Sequence, residues 1–385
     1  MATFKQYTKK NGDNLWQYQA YLGIDDKTGK RKATTHRGFK SKKEAQIHLK
    51  LFLADYERQA LDQTPAMTFQ ELYDLFLVSY RLQVKESTLA LRIRFAENHI
   101  LPVLKDIYID KISVSDCQKL VNKWHEKFAS YKQLRSLTGH ILQFGVQMEL
   151  IDTNPMKKTI LPRKKEIEKI DNFYTKAQLN KFFLCIDDYL SNPNQTGLKL
   201  LIYFRLLAFT GMRKSEVLSL QWQDINLQTG ELNISKTLAT GLEGKIIIQS
   251  PKTRKSKRIV SLDPITLEQL KKYRVEQYNT YQFYNINTMK QEQYLFTTRE
   301  NKFIHPSATS QWLYIILNRY NLPKITLHGF RHTHATLLLE SGASIKEVQE
   351  RLGHDSAMTT LNIYAHLIPE RQNQSGEKFA KYVNF

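Results

Sequence analysis

Three stretches in the second half of the chain decide its reading. They are Ala208-Phe-Thr-Gly-Met-Arg-Lys-Ser-Glu-Val-Leu-Ser-Leu220, Leu327-His-Gly-Phe-Arg-His-Thr-His-Ala-Thr336, and Ser344-Ile-Lys-Glu-Val-Gln-Glu-Arg-Leu-Gly-His354 followed by Asn362-Ile-Tyr-Ala-His366. In the first, Gly211 breaks one helix and Ser215 begins the next, so Arg213 sits at a junction with its guanidinium free to leave the core. In the second, His328 and Arg331 are three residues apart and share one helix face. In the third, Ser344 and Glu347 form a capping box, and Gly353 is a helix stop that sets His354 just outside the helix end. Taken singly, each feature has an ordinary structural meaning. Arg213 could cap carbonyls, and Tyr364 is one of 20 tyrosines. His328 and His332, at i and i+4, have zinc-ligand spacing, but Arg331 lies among the candidate ligands and the Glu of a metalloprotease helix is absent, so no metal is expected. His332 and His334 read as structural.

Around these stretches the pattern is mixed. Residues 231–237, 245–250 and 257–262 read as strands of a small antiparallel sheet, and residues 251–256 form a basic turn within Pro-Lys252-Thr-Arg-Lys-Ser-Lys-Arg258. Helices are expected from Thr175, over 199–208, and again from Ser307. Upstream, residues 154–166 hold two prolines and five basic residues, which predicts an extended, exposed strap. Residues 68–150 are helical in pattern: Thr68 and Glu71 make a capping box ahead of Leu72, Leu75 and Phe76, and further helices fit 85–99, 113–128 and 131–148. Residues 62–66 are a break. Before it, 16–22 and 31–39 read as strands joined by a turn, and Ser41 with Glu44 caps a helix whose apolar face is Ala45, Leu49, Phe52 and Leu53. The expected fold class is therefore multidomain and mainly α with small antiparallel β-sheets. Its parts are a β-sheet-plus-helix module (1–60), a helical domain (66–155), a basic linker (156–172) and a mixed α+β domain with a C-terminal tail (173–385).

Composition narrows the partners. The 385 residues carry 57 Lys+Arg against 37 Asp+Glu, a formal charge of +20, with 41% hydrophobic and 24% charged residues. That balance excludes global disorder. The longest apolar run, 198–212, is interrupted by Lys199 and Arg205 and falls short of the ~20 residues of a membrane span. The opening Met-Ala-Thr-Phe-Lys-Gln lacks the apolar stretch of a secretory signal. Cys117 and Cys185 cannot build a disulfide framework, so a reducing cytoplasm is the expected compartment. The excess of cations favours a polyanion, because neutralising phosphates releases counterions. DNA-contact candidates are Arg31, Lys32 and Arg37 on the second strand of the first module, Lys85 and Arg92 on helix faces, and Lys157, Lys158, Arg163 and Lys164 on the strap. A solubilising face is the alternative for the first group, where DNA contact is the favoured reading, and a solvated face is the reading of the second group taken alone.

Together the motifs resemble the tyrosine recombinases of the phage-integrase family, most closely integrases of phages and conjugative transposons. The family's Thr-Gly-x-Arg-x-x-Glu, its hairpin Lys, His-x-x-Arg, Leu-Gly-His and following Tyr stand here as Arg213 with Glu216, Lys252, His328 with Arg331, His354 and Tyr364, in matching order and spacing over about 175–370. The two upstream domains resemble the family's arm-binding and core-binding domains by position and pattern. The resemblance implies a site-specific recombinase that cuts and rejoins double-stranded DNA through a 3′-phosphotyrosyl intermediate. No ATP, metal or other cofactor is implied. Tyr364 would be the nucleophile, Arg213 and Arg331 would clamp the non-bridging oxygens, and Lys252 would protonate the departing 5′ oxygen. His328 would relay the phenol proton, His354 would donate to the phosphate, and Glu216 would hold Arg213. Lys255 and Lys257 share the turn and are alternatives to Lys252. The family also implies a homotetramer on DNA, host- or element-encoded bending and directionality factors, and a tail (369–385) exchanged between protomers. A type IB topoisomerase would share the catalytic chemistry but need no arm-binding module, a binding-only regulator would keep the charge but lose a site residue, and a chromosome-dimer resolvase would be shorter and lack the N-terminal module. The N-terminal module argues for the integrase of a mobile element.

Overall fold

The computed structural model describes residues 2–8, 14–24, 31–61, 67–163, 172–191, 197–251, 253–354, 380 and 383. Lys164, Lys252, Tyr364 and nearly all of the tail lie outside the described residues. Contacts divide the chain into two units, Met1–Gln83 with Arg92–Arg163 and Val84–Leu91 with Lys164–Phe385.

In the first unit, β1 (Ala2–Thr8), β2 (Asn14–Ile24) and β3 (Arg31–Phe39) form an antiparallel sheet in that order. The period-two alternation buries Tyr18 and Ala20 against Ala45 of α1 (Lys42–Leu61). The Tyr18 ring stacks on His36 and Phe39, and its hydroxyl meets His48 Nδ1 at 2.9 Å. The expected pair of strands thus gains a third, β1, which places Phe4 opposite Tyr18. Ser41 Oγ accepts the Glu44 N–H, and Glu44 accepts the Lys40 N–H, which starts α1 where the capping residues put it.

The unit continues with α2 (Phe69–Arg81), the Arg92–Phe95 end of α3 (Glu86–Phe95), whose Glu86–Leu91 belong to the second unit, and then α4 (Leu101–Leu104), α5 (Val114–Lys127) and α6 (Tyr131–Gln147). The helix expected over 85–99 ends in a π-turn, Ala96–Ile100, just before Pro102, which has no N–H to offer the Asn98 carbonyl. Leu72, Val121, Trp124, Leu134 and Ile141 are among the buried residues of the core.

The strap departs from expectation. Asn154 caps a 3₁₀ turn over Pro155–Lys158, Pro155 and Met156 are buried, and Met156 packs against Gly139. The Arg135 guanidinium reaches the carbonyls of Met156, Lys157 and Thr159. Residues 154–159 are therefore fastened to the helical domain, because one arginine satisfies carbonyls that an extended strap would leave to water. Lys157, Lys158 and Arg163 remain exposed on it.

In the second unit α8 (Gly197–Thr210) is apolar almost all round and lies in the core, as such a helix must. Its Ile202, Phe204 and Leu207 are fully buried. Before it lies α7 (Lys176–Ser191), and after it the one-turn α9 (Lys214–Val217). The expected small sheet is two separate antiparallel ladders. β4 (Glu231–Ile234) pairs with β7 (Arg258–Ser261), and β5 (Thr237–Thr240) pairs with β6 (Ile246–Gln249). The run expected as one strand over 231–237 is broken at Ser235–Lys236, where Lys236 turns in to pair with Asp224 at 2.8 Å. Next come α10 (Pro264–Gln282), which the expected series lacks, α11 (Pro306–Arg319), α12 (Gly329–Glu340) and α13 (Ile345–Leu352). Among the described residues no helix is long and apolar enough to cross a membrane.

Gly211 ends α8 at φ +65°, and a Cβ there would lie 2.5 Å from Leu352 Cδ2 and 2.8 Å from His334 Cδ2. Gly244, at φ +75°, has nothing within 4 Å of its Cβ position. Gly244→Ala should therefore cost only the left-handed backbone penalty, about 1 kcal/mol, and Gly211→Ala at least twice that, about 2–3 kcal/mol. Urea unfolding of the two variants reads the difference.

Candidate active site

The site is built on two helix ends. A helix leaves its last carbonyls without intrahelical partners and concentrates partial negative charge there. At the C-terminus of α8, Ala208 O is met by His334 Nδ1 at 2.9 Å, Phe209 O by Arg351 Nη2 at 3.1 Å and Gly211 O by Arg331 Nη1 at 2.8 Å. At the C-terminus of α13, Arg351 O accepts from Arg258 Nε and Leu352 O from Arg331 Nη2, both at 2.8 Å. Beyond it, the Gly353 and His354 N–H groups close a Schellman motif on Glu350 and Gln349. Gly353 takes φ +67°, and a Cβ there would stand 2.7 Å from Lys255 O, so the basic turn rests directly on this glycine.

Arg331 therefore fastens both segments that hold other candidates. Its side chain is 2% exposed. One nitrogen holds Gly211, two residues before Arg213, and the other holds Leu352, two residues before His354. Arg213 is the N-cap of α9, and its side chain is 38% exposed. Glu216, 2% exposed, takes Arg213 Nη1 on Oε1 at 2.7 Å and the Arg213 N–H on Oε2 at 3.0 Å. Arg258 Nη2 binds the same Oε2 at 3.0 Å. Arg213 and His328 line one open cleft of about 610 Å³ together with Lys214, Tyr314 and Thr326. Arg213, His328, Arg331 and His354 thus lie within one electrostatic neighbourhood, with Glu216 supporting the first.

The electrostatics follow from that crowding. His354 is half-buried, and burial, then the charges of Arg331, Arg213, His328 and Arg258, push its imidazole down to about 4. His328 keeps a solvent-facing edge, yet burial of its ring and the charges of His332, Arg331 and Arg213 hold it well below the usual histidine value. Both are neutral at pH 7. Burial would raise the Glu216 carboxyl, but the charge and hydrogen bond of Arg258, together with Arg213, outweigh it and hold Glu216 ionised.

His334 has the structural role expected of it. Arg351 Nε donates to its Nε2 at 3.0 Å, and a guanidinium has only donors, so Nδ1 carries the proton and gives it to Ala208 O. His332 stands edge-on to His328, with ring centroids 4.8 Å apart.

Other candidates are more scattered. Arg37 is exposed on β3, and Arg31 and Lys32 occupy the first two positions of that strand. Arg92 is half-buried and reaches Gln133 O at 3.4 Å. Lys85 is not free for a phosphate: its three N–H groups go to Ser250 O, Ser250 Oγ and Pro251 O at 2.7–3.0 Å, which anchors the strand end just before Lys252. The Lys252 side chain and the phenol of Tyr364 lie outside the described residues, and Lys255 and Lys257 are exposed on the turn and just before β7. The sequence reading missed Arg258 and Arg351. Their signal was weak, since Arg258 sits in a strand where Ile259 is 67% exposed and Val260 2%. Only that inverted alternation, with arginine on the inner face, marks it.

Comparison with known proteins agrees with the geometry. Residues 172–371 match the model of the phage integrase family, residues 68–125 that of the phage integrase N-terminal SAM-like domain, and residues 4–56 that of the Arm DNA-binding domain. The ICEBs1 integrase of Bacillus subtilis is 25% identical over 96% of this chain and 98% of its own. A XerC-like tyrosine recombinase of Caldanaerobacter subterraneus is 29% identical over 98% of each. The solved Tn1549 transposon integrase in complex with a circular intermediate DNA superposes with a TM-score of 0.63, at 22% identity, over 80% of this chain and 99% of that one.

His334 also makes a prediction about stability. Its folded-state value is pushed down to about 3 by burial first and then by Arg351, while the unfolded chain titrates near 6.5. The unfolded state thus binds the extra proton, so this contribution is complete above about pH 6.5 and is lost as pH falls towards 3. Between pH 7 and 5 it amounts to about 2 kcal/mol, so the stability gap between wild type and His334→Gln should narrow by that amount. Urea midpoints at the two pH values test this.

Proposed function

The chain belongs to the phage integrase family, the tyrosine recombinases of mobile elements, and from that premise we propose that Arg213, Lys252, His328, Arg331 and His354 surround one scissile phosphate for attack by Tyr364. The observation that carries the assignment is the pair of bonds from Arg331 to Gly211 O and Leu352 O, which draws the Arg213 and His354 segments to one place. In the step proposed, the Tyr364 oxygen bonds to phosphorus as the bond to the 5′ oxygen breaks. The phenol proton passes to His328, and Lys252 gives a proton to the departing 5′ oxygen, which leaves as a hydroxyl. A phosphodiester becomes a phosphodiester, so the bond energy is kept and the same residues run the step backwards to rejoin a strand.

Charge develops on the non-bridging oxygens as the five-coordinate centre forms, and planar guanidiniums with paired N–H groups match it. The lowered values of His328 and His354 fit this use. Both are neutral before DNA arrives, and a phosphate anion among them offsets part of the surrounding positive charge and raises their affinity for protons. Proton transfer is thereby coupled to correct seating of DNA.

The substrate is double-stranded DNA, met in the cytoplasm. The N-terminal module, with Arg31, Lys32 and Arg37, would take a separate arm site, and Arg92, Lys157, Lys158, Arg163 and Lys164 would flank the core site. Exchange between two duplexes breaks four strands, and each chain brings one nucleophile, so four copies act together. Bending and directionality factors, from host or element, would bring arm and core sites within reach.

The test is covalent trapping. Wild type incubated with supercoiled and fragmented genomic DNA, then denatured in detergent, should retain DNA through a 3′ phosphate, and Tyr364→Phe should retain none. Retention by the mutant would move the nucleophile to another tyrosine. Arg213→Gln should slow attachment by about 10³ or more while leaving DNA binding nearly intact.

A further inference from the structure

Glu216 is a buried carboxylate with two arginines on it, and the two are not equivalent. The Arg213 side chain is 38% exposed and borders the cleft, whereas that of Arg258 is 5% exposed. Arg258 is also held from three directions: Nε on Arg351 O at 2.8 Å, Nη1 on Ser256 O at 3.1 Å and Nη2 on Glu216 Oε2 at 3.0 Å. These three bonds fix its guanidinium on the Glu216 carboxylate. We propose that Arg258 is a positioning residue: its buried charge cancels that of Glu216, so that Arg213 brings a full unit of positive charge to the scissile phosphate.

The role is one of charge balance, and it rests on the reading of Arg213 as a phosphate clamp. Arg213 and Arg258 carry one positive charge each and Glu216 one negative, so the trio has a net charge of +1. Each carboxylate oxygen has its own guanidinium, which leaves Arg213 attached through a single Nη1 contact. Without Arg258 the trio is neutral and Oε2 keeps only the Arg213 N–H. A buried carboxylate short of a partner draws the nearest guanidinium into a two-pronged contact. Arg213 would then turn from phosphate to Glu216, and its field at the phosphate would be cancelled at source. A further consequence follows from Arg258 Nε capping Arg351 O at the end of α13. The same guanidinium that frees Arg213 steadies the turn leading to His354.

If the role is charge balance, removing both charges should repair what removing one destroys. A merely structural role for Arg258 predicts no such repair. The full-length protein is followed by the single-turnover rate of covalent attachment to fragmented genomic DNA carrying the element, with DNA retention on filters as the binding readout. Arg258→Met should attach about 30-fold more slowly with binding within about threefold of wild type, a defect in the step and not in affinity. The double variant E216Q/R258M should recover at least about tenfold of that loss, and Arg258→Lys, which keeps the charge, should lie between. Attachment by Arg258→Met at the wild-type rate, or a double variant no faster than the single, overturns the proposal. Should Arg258→Met not fold, the double variant decides: attachment within about tenfold of wild type supports charge balance, and a greater loss overturns it. The reading on which this rests fails differently: Arg213→Gln would then attach at the wild-type rate, whatever Arg258→Met does.

Discussion

Arg331 lies inside the catalytic unit with one nitrogen on Gly211 O and another on Leu352 O. These two carbonyls end the segments that present Arg213 and His354, 141 residues apart in the chain by their numbering. Any loosening of this guanidinium frees both loops at once. Lysine could not replace it, because a single ammonium lacks the rigid fork that spans two fixed carbonyls. The arginine thus fixes the geometry of both segments, and in the proposed function the same group would also stabilise charge on the phosphate.

The remaining cations extend the pattern. Arg351 and His334 cap α8, Arg258 caps α13, and Glu216 joins Arg258 to Arg213. Helix C-termini are sinks for positive charge, and burying several cations near two of them reduces a desolvation cost that would otherwise be severe. The single carboxylate in this group does the rest. Burial first, and then the neighbouring charges of this cluster, hold His328 and His354 neutral.

Packing around the cluster is tight. Gly211 and Gly353 are both at positive φ and both closely approached, the first by Leu352 and His334, the second by Lys255 O. They are the punctuation marks of Thr-Gly-x-Arg and Leu-Gly-His, and their lack of a side chain lets a helix end, a histidine and the basic turn come together. Lys85 adds a second restraint on the hairpin by holding Ser250 and Pro251. Its sequence context gives no hint of this, because a basic residue at a helix start reads as a solvated charge unless its long-range partner is known.

The sequence by itself determined the helix boundaries that rest on local chemistry. Thr68, Ser113 and Ser344 cap as their spacing requires, Gly211 and Gly353 stop helices, and the alternation of 16–22 and 31–39 makes strands. It also laid out the order of the candidate site residues, of which Arg213, His328 and Arg331 lie close enough to His354 to act on its imidazole. Tertiary structure decided everything that depends on partners distant in the chain. It set the fastening of residues 154–159 by Arg135, the division of one expected sheet into two ladders, the diversion of Lys85, and the inward turn of Arg258. The physical reason is the same in each case. A charged side chain carries no local preference for one of several distant carbonyls or carboxylates, and which one it meets is settled only when the helices that offer them are packed.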